Sequence, residues 1–283
     1  MTLKALENRP GLTIIVVTYR RMEALYASLA ALMSQDLRGI PSELIVVNND
    51  SEAQLRPSRW TKLGRLFRAN PAVILVNSRF NWLGIIRYGM VYLAYYDTVL
   101  ILDDDITVLD DTLVFDMYQT LMGLEKYDIV SGWNSIWTHW TDTEYHYVDA
   151  TFKMPEVTQL TKTDTCGSGI SMFNKDLILH ARAQQHLVIR ERAPAGDMAL
   201  GLLANMLWGG TTYAIPMYGR AKFHPEWAKS ALHLRPKAYT KRGELYKAML
   251  QTGYKPLITR ETLAEESPEM KLINNVEPLV RPW

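Results

Sequence analysis

Three consecutive carboxylates, Asp103, Asp104 and Asp105, close the short apolar run Val99 to Leu102, and no other stretch of the chain concentrates charge so abruptly behind apolar residues. A run of this kind reads as a strand buried on both faces, and like charges at its end are costly unless a cation or solvent compensates them. Carboxylate oxygens suit hard Mg2+ or Mn2+, which take one or two protein carboxylates and complete their shell with water and substrate phosphates. In extended chain Asp103 and Asp105 project the same way and address one site, while Asp104 points elsewhere. A solvated acidic turn is the competing reading.

The elements before the triplet bear on that choice. Leu12 to Val17, Leu44 to Val47, Val73 to Val76 and Val99 to Leu102 are short runs rich in β-branched residues, recurring about every 25 to 30 residues, the beat of βα units. Leu25, Leu29 and Leu32 fall at helical spacing between Arg21 and Gln35, and Ile85 to Tyr96 is long enough for a second crossover helix. The expected fold class is α/β, a Rossmann-like, mostly parallel sheet flanked by helices. Ligands bind such sheets at the carboxyl ends of the strands, where the triplet falls.

At this point an ordered series of motifs resembles the GT-A fold nucleotide-sugar glycosyltransferases of the inverting, family 2 type, over roughly Leu12 to His224. Thr18-Tyr19-Arg20-Arg21 is similar to that family's T-Y-N-R turn beside the nucleobase. Asn48-Asn49-Asp50-Ser51 stands where D-D-G-S or D-N-x-S is usual, and Asn77 to Arg87, with Asn81, resembles N-x-G-x-x-x-A-R-N. Asp103-Asp104-Asp105 resembles D-x-D, Cys166-Gly167-Ser168-Gly169 the glycine-containing donor-sugar loop, and Gly196-Asp197 the acidic pair E-D. Two departures matter. Asn48 and Asn49 replace acids that accept from uracil, so the base contact falls to Asn carbonyls or to Asp50, and an Asn NH2 equally suits cytosine or guanine. Gly196 replaces the first acid of the pair, leaving Asp197 as its carboxylate.

The resemblance implies hexosyl or pentosyl transfer from a nucleoside diphosphate sugar, UDP-linked by default, to a hydroxyl acceptor. Such transfer passes through an oxocarbenium-like state while charge grows on the departing diphosphate. The resemblance puts Mg2+ or Mn2+ on Asp103 and Asp105, with His224 as a further ligand and His233 in reserve; Arg87 assists at the phosphates. Donor contacts are expected from Thr18, Tyr19, Arg20, Asn48, Asn49, Asp50, Asn81, Arg87, Asp103, Asp104, Gly167, Ser168 and Gly169. Asp197 is the expected general base for the acceptor proton, a role compatible with capping the apolar helix that follows it. Plainer readings stand beside these: Arg87 as a surface arginine with a buried stem, His224 as a hydrogen-bonded loop residue.

Trp133, Trp137 and Trp140 lie amid Thr, Asn and Ser in a segment that reads as an irregular hairpin; they suit stacking on an acceptor or packing of a small subdomain. Arg220 to Arg260 holds ten Lys or Arg against Glu226 and Glu244, a solvated face or a seat for a phosphorylated acceptor. The resemblance implies a saccharide or lipid-linked saccharide as acceptor, with a hydroxylated base in DNA as the second choice. No apolar run reaches the roughly 20 residues of a transmembrane segment, Ile85 to Leu102 being interrupted by Arg87 and Asp97. MTLKALENRPG lacks a secretory h-region, and a single cysteine, Cys166, excludes an intrachain disulfide. A cytoplasmic enzyme is expected, with a peripheral position at the membrane left open.

The expected organisation is a catalytic domain over 1–224, with an acceptor-side insertion at 131–165, and a C-terminal extension over 225–283. A pyrophosphorylase would need a Gly-rich loop after the first strand, where Thr18 to Met22 has none; a dehalogenase-type phosphatase would carry its D-x-D after the first strand. A degenerate domain serving as a carbohydrate-binding or scaffold module is the non-enzymatic alternative.

Overall fold

The computed structural model describes residues 9–225, apart from 59–60, 70–71, 133–134, 141–144, 150–158, 164–165, 168 and 180–195. The four apolar runs are strands β1 (Leu12–Thr18), β2 (Ser42–Asn48), β3 (Val73–Asn77) and β4 (Thr98–Asp103), all parallel, in the spatial order β3-β2-β1-β4. Beyond β4 the sheet continues through β10 (Ile170–Asn174) and β6 (Ile129–Ser131) to β11 (Thr212–Ala214) and β9 (Thr161–Thr163), eight strands in all. β10 runs antiparallel to both β4 and β6.

Period-two alternation sends successive strand residues to opposite faces, and both are covered. Ile14, Val16, Leu44, Val46, Leu100 and Leu102 pack with Leu25, Leu29 and Leu32 of α1 (Met22–Met33), Leu63 of α2 (Lys62–Ala69) and Met117 of α4 (Leu113–Met122). Ile15, Ile45, Val47, Val99 and Ile101 pack on the other face. Their partners there are Ile86 and Tyr88 of α3 (Ile86–Gly89), Leu177 of α5 (Asp176–Leu179), and Leu200 and Leu203 of α6 (Gly196–Trp208).

Ile85 to Tyr96 is not one crossover helix. The four-residue α3 stands between 3-10 turns at Leu83–Ile85 and Met90–Leu93, and the chain is extended by Ala94. Gly84 and Gly89, with β-branched Ile85, Ile86 and Val91, weaken helix propagation there, and burial of Ile86, Tyr88 and Val91 holds the turns instead.

Two small antiparallel sheets complete the described residues. β7 (Ser135–Trp140) and β8 (Tyr145–Asp149) form the expected irregular hairpin, with a register shift between Trp137 and His139. β5 (Ile106–Val108) pairs with β12 (Ala221–Phe223). Arg220, the first cation of the basic segment, is spent here: it forms ion pairs with Asp110 and Asp116, and its carbonyl accepts from the Leu109 and Asp110 amides. Lys222 is exposed on β12, and the segment from residue 226 onward, with all of the C-terminal extension except Pro225, lies outside the described residues.

Candidate active site at the carboxyl ends of the parallel strands

β1 lies between β2 and β4, so the order in which strands are added reverses at the β1/β4 boundary, and crevices open at such points. Asp103 ends β4 there, in register with Val17. Its amide donates to the Gly169 carbonyl at 2.8 Å, which brings the 166–169 loop against the triplet. Cys166, Gly167 and Gly169 are buried; Ser168 is outside the described residues.

The chain turns at Asp104 and Asp105, so the alternation expected of extended chain does not hold. Arg21 forms ion pairs with Asp104 and Asp105 together, and Asp103 stands apart, paired with Arg87 at 2.9 Å. Asp104 is fully buried and accepts a hydrogen bond from Thr18 Oγ1 at 2.6 Å. Burial pushes its carboxyl up to about 6 against the pull of Arg21, and pushes Asp103 up to about 7 against Arg87. The pair of guanidiniums thus compensates the triplet incompletely. Arg87 also donates to the Gly84 carbonyl and is only partly exposed, its guanidinium turned to Asp103.

Asp104 therefore ties β4 to the end of β1. Its replacement by Asn leaves a largely buried guanidinium short of a partner, and unfolding measured by denaturant titration should show a loss of about 3 kcal/mol or more. An unchanged midpoint would mean that Asp105 holds Arg21 without it.

A small hard cation fits this setting. Asp105 Oδ1 is buried with no hydrogen-bond partner among the described residues, an acceptor left open while Oδ2 faces Arg21. The His224 amide donates to the Asp105 carbonyl at 2.6 Å, because β12 pairs with β5 and carries the chain back to the triplet. Among the described residues no three His, Cys, Asp or Glu side chains form a complete metal cage. An ion here would draw the rest of its shell from water and ligand oxygens, as Mg2+ and Mn2+ ordinarily do.

Beside the triplet, the ends of β1, β2 and β3 form a polar rim. Arg20 sits at φ 60°, in the left-handed region that a non-glycine residue seldom occupies. It is held there by Asp50, with Nε to Oδ2 at 3.0 Å, and by Glu52, and it lies over the Tyr19 ring. The same guanidinium holds the Asp50 carboxyl below the usual range. Asn48 and Asn49 are engaged within the protein. Asn48 Nδ2 donates to the Ala53 carbonyl and to Asn77 Oδ1, and its Oδ1 accepts from the Asp50 amide. Asn49 Nδ2 donates to Asn81 Oδ1, and its Oδ1 accepts from the Trp82 amide. As placed, the two amides brace the loops after β2 and β3.

The remaining expected residues are only partly placed. Asp197 is the second residue of α6, with its side chain outside the described residues. Trp137 and Trp140 lie on β7, also without described side chains, and Trp133 and His233 are outside altogether. Arg21 was not singled out from the sequence; its signal was its place in the same four-residue turn as Thr18 and Tyr19.

No protein-family model matches the chain, and no curated protein matches it in sequence. Among solved structures it is similar to one described as the mannosyltransferase PcManGT from Pyrobaculum calidifontis in complex with GDP-Man and Mn2+. The identity is 18% and the TM-score 0.48, over 95% of this chain and 84% of that one. Nothing about activity follows from a likeness of this degree.

Proposed function

We propose that the protein is an inverting, metal-dependent glycosyltransferase that moves a sugar from a nucleoside diphosphate sugar to a hydroxyl acceptor. The observation that supports this best is the triplet itself. Three carboxylates are kept at a topological switch point with two guanidiniums, and one buried carboxylate oxygen faces no donor. A fold holding such charge at a crevice uses it on a ligand.

In this reading Asp105 holds Mg2+ or Mn2+ through its open Oδ1, with Asp103 and His224 joining the shell through water, since the three side chains do not converge on one point. When bound, the ion neutralises charge growing on the departing diphosphate. Arg87, already at Asp103, reaches the same phosphates, and Tyr19 and Asp50 border the nucleoside. Because Asn48 and Asn49 are committed to bracing loops, base choice rests on Asp50 and on backbone groups of the rim, and a UDP-linked donor is the first to try. Gly167, Ser168 and Gly169 flank the sugar. Asp197 takes the acceptor proton, and the Trp133, Trp137 and Trp140 segment meets the acceptor, a saccharide, a lipid-linked saccharide or a nucleic-acid base.

Transfer to water reports the donor without knowledge of the acceptor. Incubated with a panel of nucleotide sugars and Mn2+, the protein should slowly release the nucleoside diphosphate from one of them and stop in chelator. Release from none of them, together with no change in melting temperature on adding metal plus any nucleoside diphosphate, would favour the scaffold-module reading instead.

A further inference from the structure

From Ala53 to Tyr96 the chain contains no Asp or Glu and seven Lys or Arg, so every one of its 30 acidic residues lies elsewhere. These cations are not distributed at random over the fold. Arg56, Lys62, Arg65, Arg68 and Arg79 are all exposed. On α2, Leu63 is buried while Leu66 and Phe67 pack against the core, which turns Lys62, Arg65 and Arg68 outward at spacings of three along one face. α2 leads into β3, and β3 is the terminal strand of the large sheet, with Ile74 exposed. Among the described residues no carboxylate forms an ion pair with Arg56, Lys62, Arg68 or Arg79.

The same edge ends in two exposed aromatic rings. Phe80 and Trp82, 65% and 53% exposed, meet edge to face with centroids 5.9 Å apart. Their loop is well anchored: the Trp82 amide donates to Asn49 Oδ1, and Ser78 Oγ bonds both the Phe80 carbonyl and its amide. Asn77, which opens this loop, also bonds both backbone groups of Leu55, next to Arg56. Arg56 and Arg79 therefore flank the aromatic loop at the carboxyl end of β3, Lys62, Arg65 and Arg68 face outward on the helix that leads into the amino end of the same strand, and the rings are exposed on a braced support.

We propose that this α2/β3 edge docks on the surface of an anionic lipid bilayer, with the cations at the head-group plane and Phe80 and Trp82 entering the interface. Charge complementarity selects an anionic partner. The aromatic pair selects among anionic partners: two rings more than half exposed on a braced loop supply the apolar insertion that a lipid interface accommodates. Exposed aromatic rings match the interfacial level of a membrane. No helix among the described residues is long and apolar enough to cross one, and docking of this kind needs none. If the transfer reading also holds, the rim beside Asn49 and Asn81, on the donor side of the crevice, lies at head-group level.

Co-sedimentation with vesicles tests the docking without any donor. The full chain should partition onto vesicles containing about one-third phosphatidylglycerol, weakly onto pure phosphatidylcholine, and fall off steeply as salt rises. Arg65→Gln/Arg68→Gln should lower partition about tenfold or more, and Phe80→Ser/Trp82→Ser several-fold, with melting temperatures of both held near that of the parent. Equal partition of the charge variant, equal binding to neutral vesicles, or tighter binding to a DNA duplex than to the anionic vesicles would each overturn the proposal. Titration of nucleoside diphosphate with Mn2+ should be unaffected in the Arg65/Arg68 variant, so failure of the transfer reading and failure of docking are read separately.

Discussion

Replacing Asp105 by Asn should weaken metal-dependent binding of a nucleoside diphosphate by about 100-fold or more while leaving the protein folded. Loss of groups that merely orient metal ligands costs about 10- to 100-fold, so if Asp105 is a ligand, as proposed, that range is the floor for its loss. The geometry leaves the amide no good arrangement. If its oxygen turns to Arg21, its NH2 occupies the place of the unpartnered Oδ1 and faces the cation; if it turns the other way, donor meets donor at Arg21. Calorimetric titration with Mn2+ and UDP or GDP checks this, with Asp104→Asn as the contrast, since Asp104 has its oxygens on Thr18 and Arg21 and its loss belongs in stability. Unchanged affinity in the Asp105 variant would remove it from the site.

The half of the sheet built from β1 to β4 was legible because each strand is a continuous β-branched run, and because parallel neighbours separated by crossovers impose a regular interval. The other half left little trace. β6, β9 and β11 are three residues each, too short for any period to show, and the pairings of β6 with β10 and of β11 with β6 and β9 join segments far apart in sequence. The broken crossover after β3 misled for a related reason: Ile86, Tyr88 and Val91 are buried, so the stretch carries a helix's hydrophobicity without its propensity.

In the site, residue type was legible and partnership was not. A triplet of Asp behind an apolar run announces a cost that something must offset, yet its offset comes from Arg21, more than 80 positions away, and from the Thr18 hydroxyl. Asn48 and Asn49 show the converse. In sequence they look like base-reading groups that have lost their charge; in the fold their amides hold the segments 50–55 and 77–82 in place. An Asn offers a donor and an acceptor on one short side chain, which is what bracing two loops from one strand end requires. Specificity for the base therefore has to be sought in what these loops present to the crevice.

The sharpest division between a structural and a chemical role concerns Asp197. Standing second in α6, it lies in the first helical turn, where a carboxylate is favoured by the unpaired amides and the helix dipole. If that is all it does, Asp197→Asn should cost no more than about 1 kcal/mol of stability and leave turnover nearly intact, since Asn is also accepted at helix starts. If it takes the proton from the attacking hydroxyl, the same change should cost about 10²- to 10⁴-fold in kcat with donor affinity held within a few fold, because the carboxylate acts on the acceptor and makes no contact with the diphosphate. The two roles thus separate on one variant and two measurements, single-turnover transfer and donor titration. Loss of both in equal measure would show instead that α6 itself is displaced, and a helical signal restored by Asp197→Glu without recovery of transfer would locate the requirement in the position of the carboxylate and not in its charge.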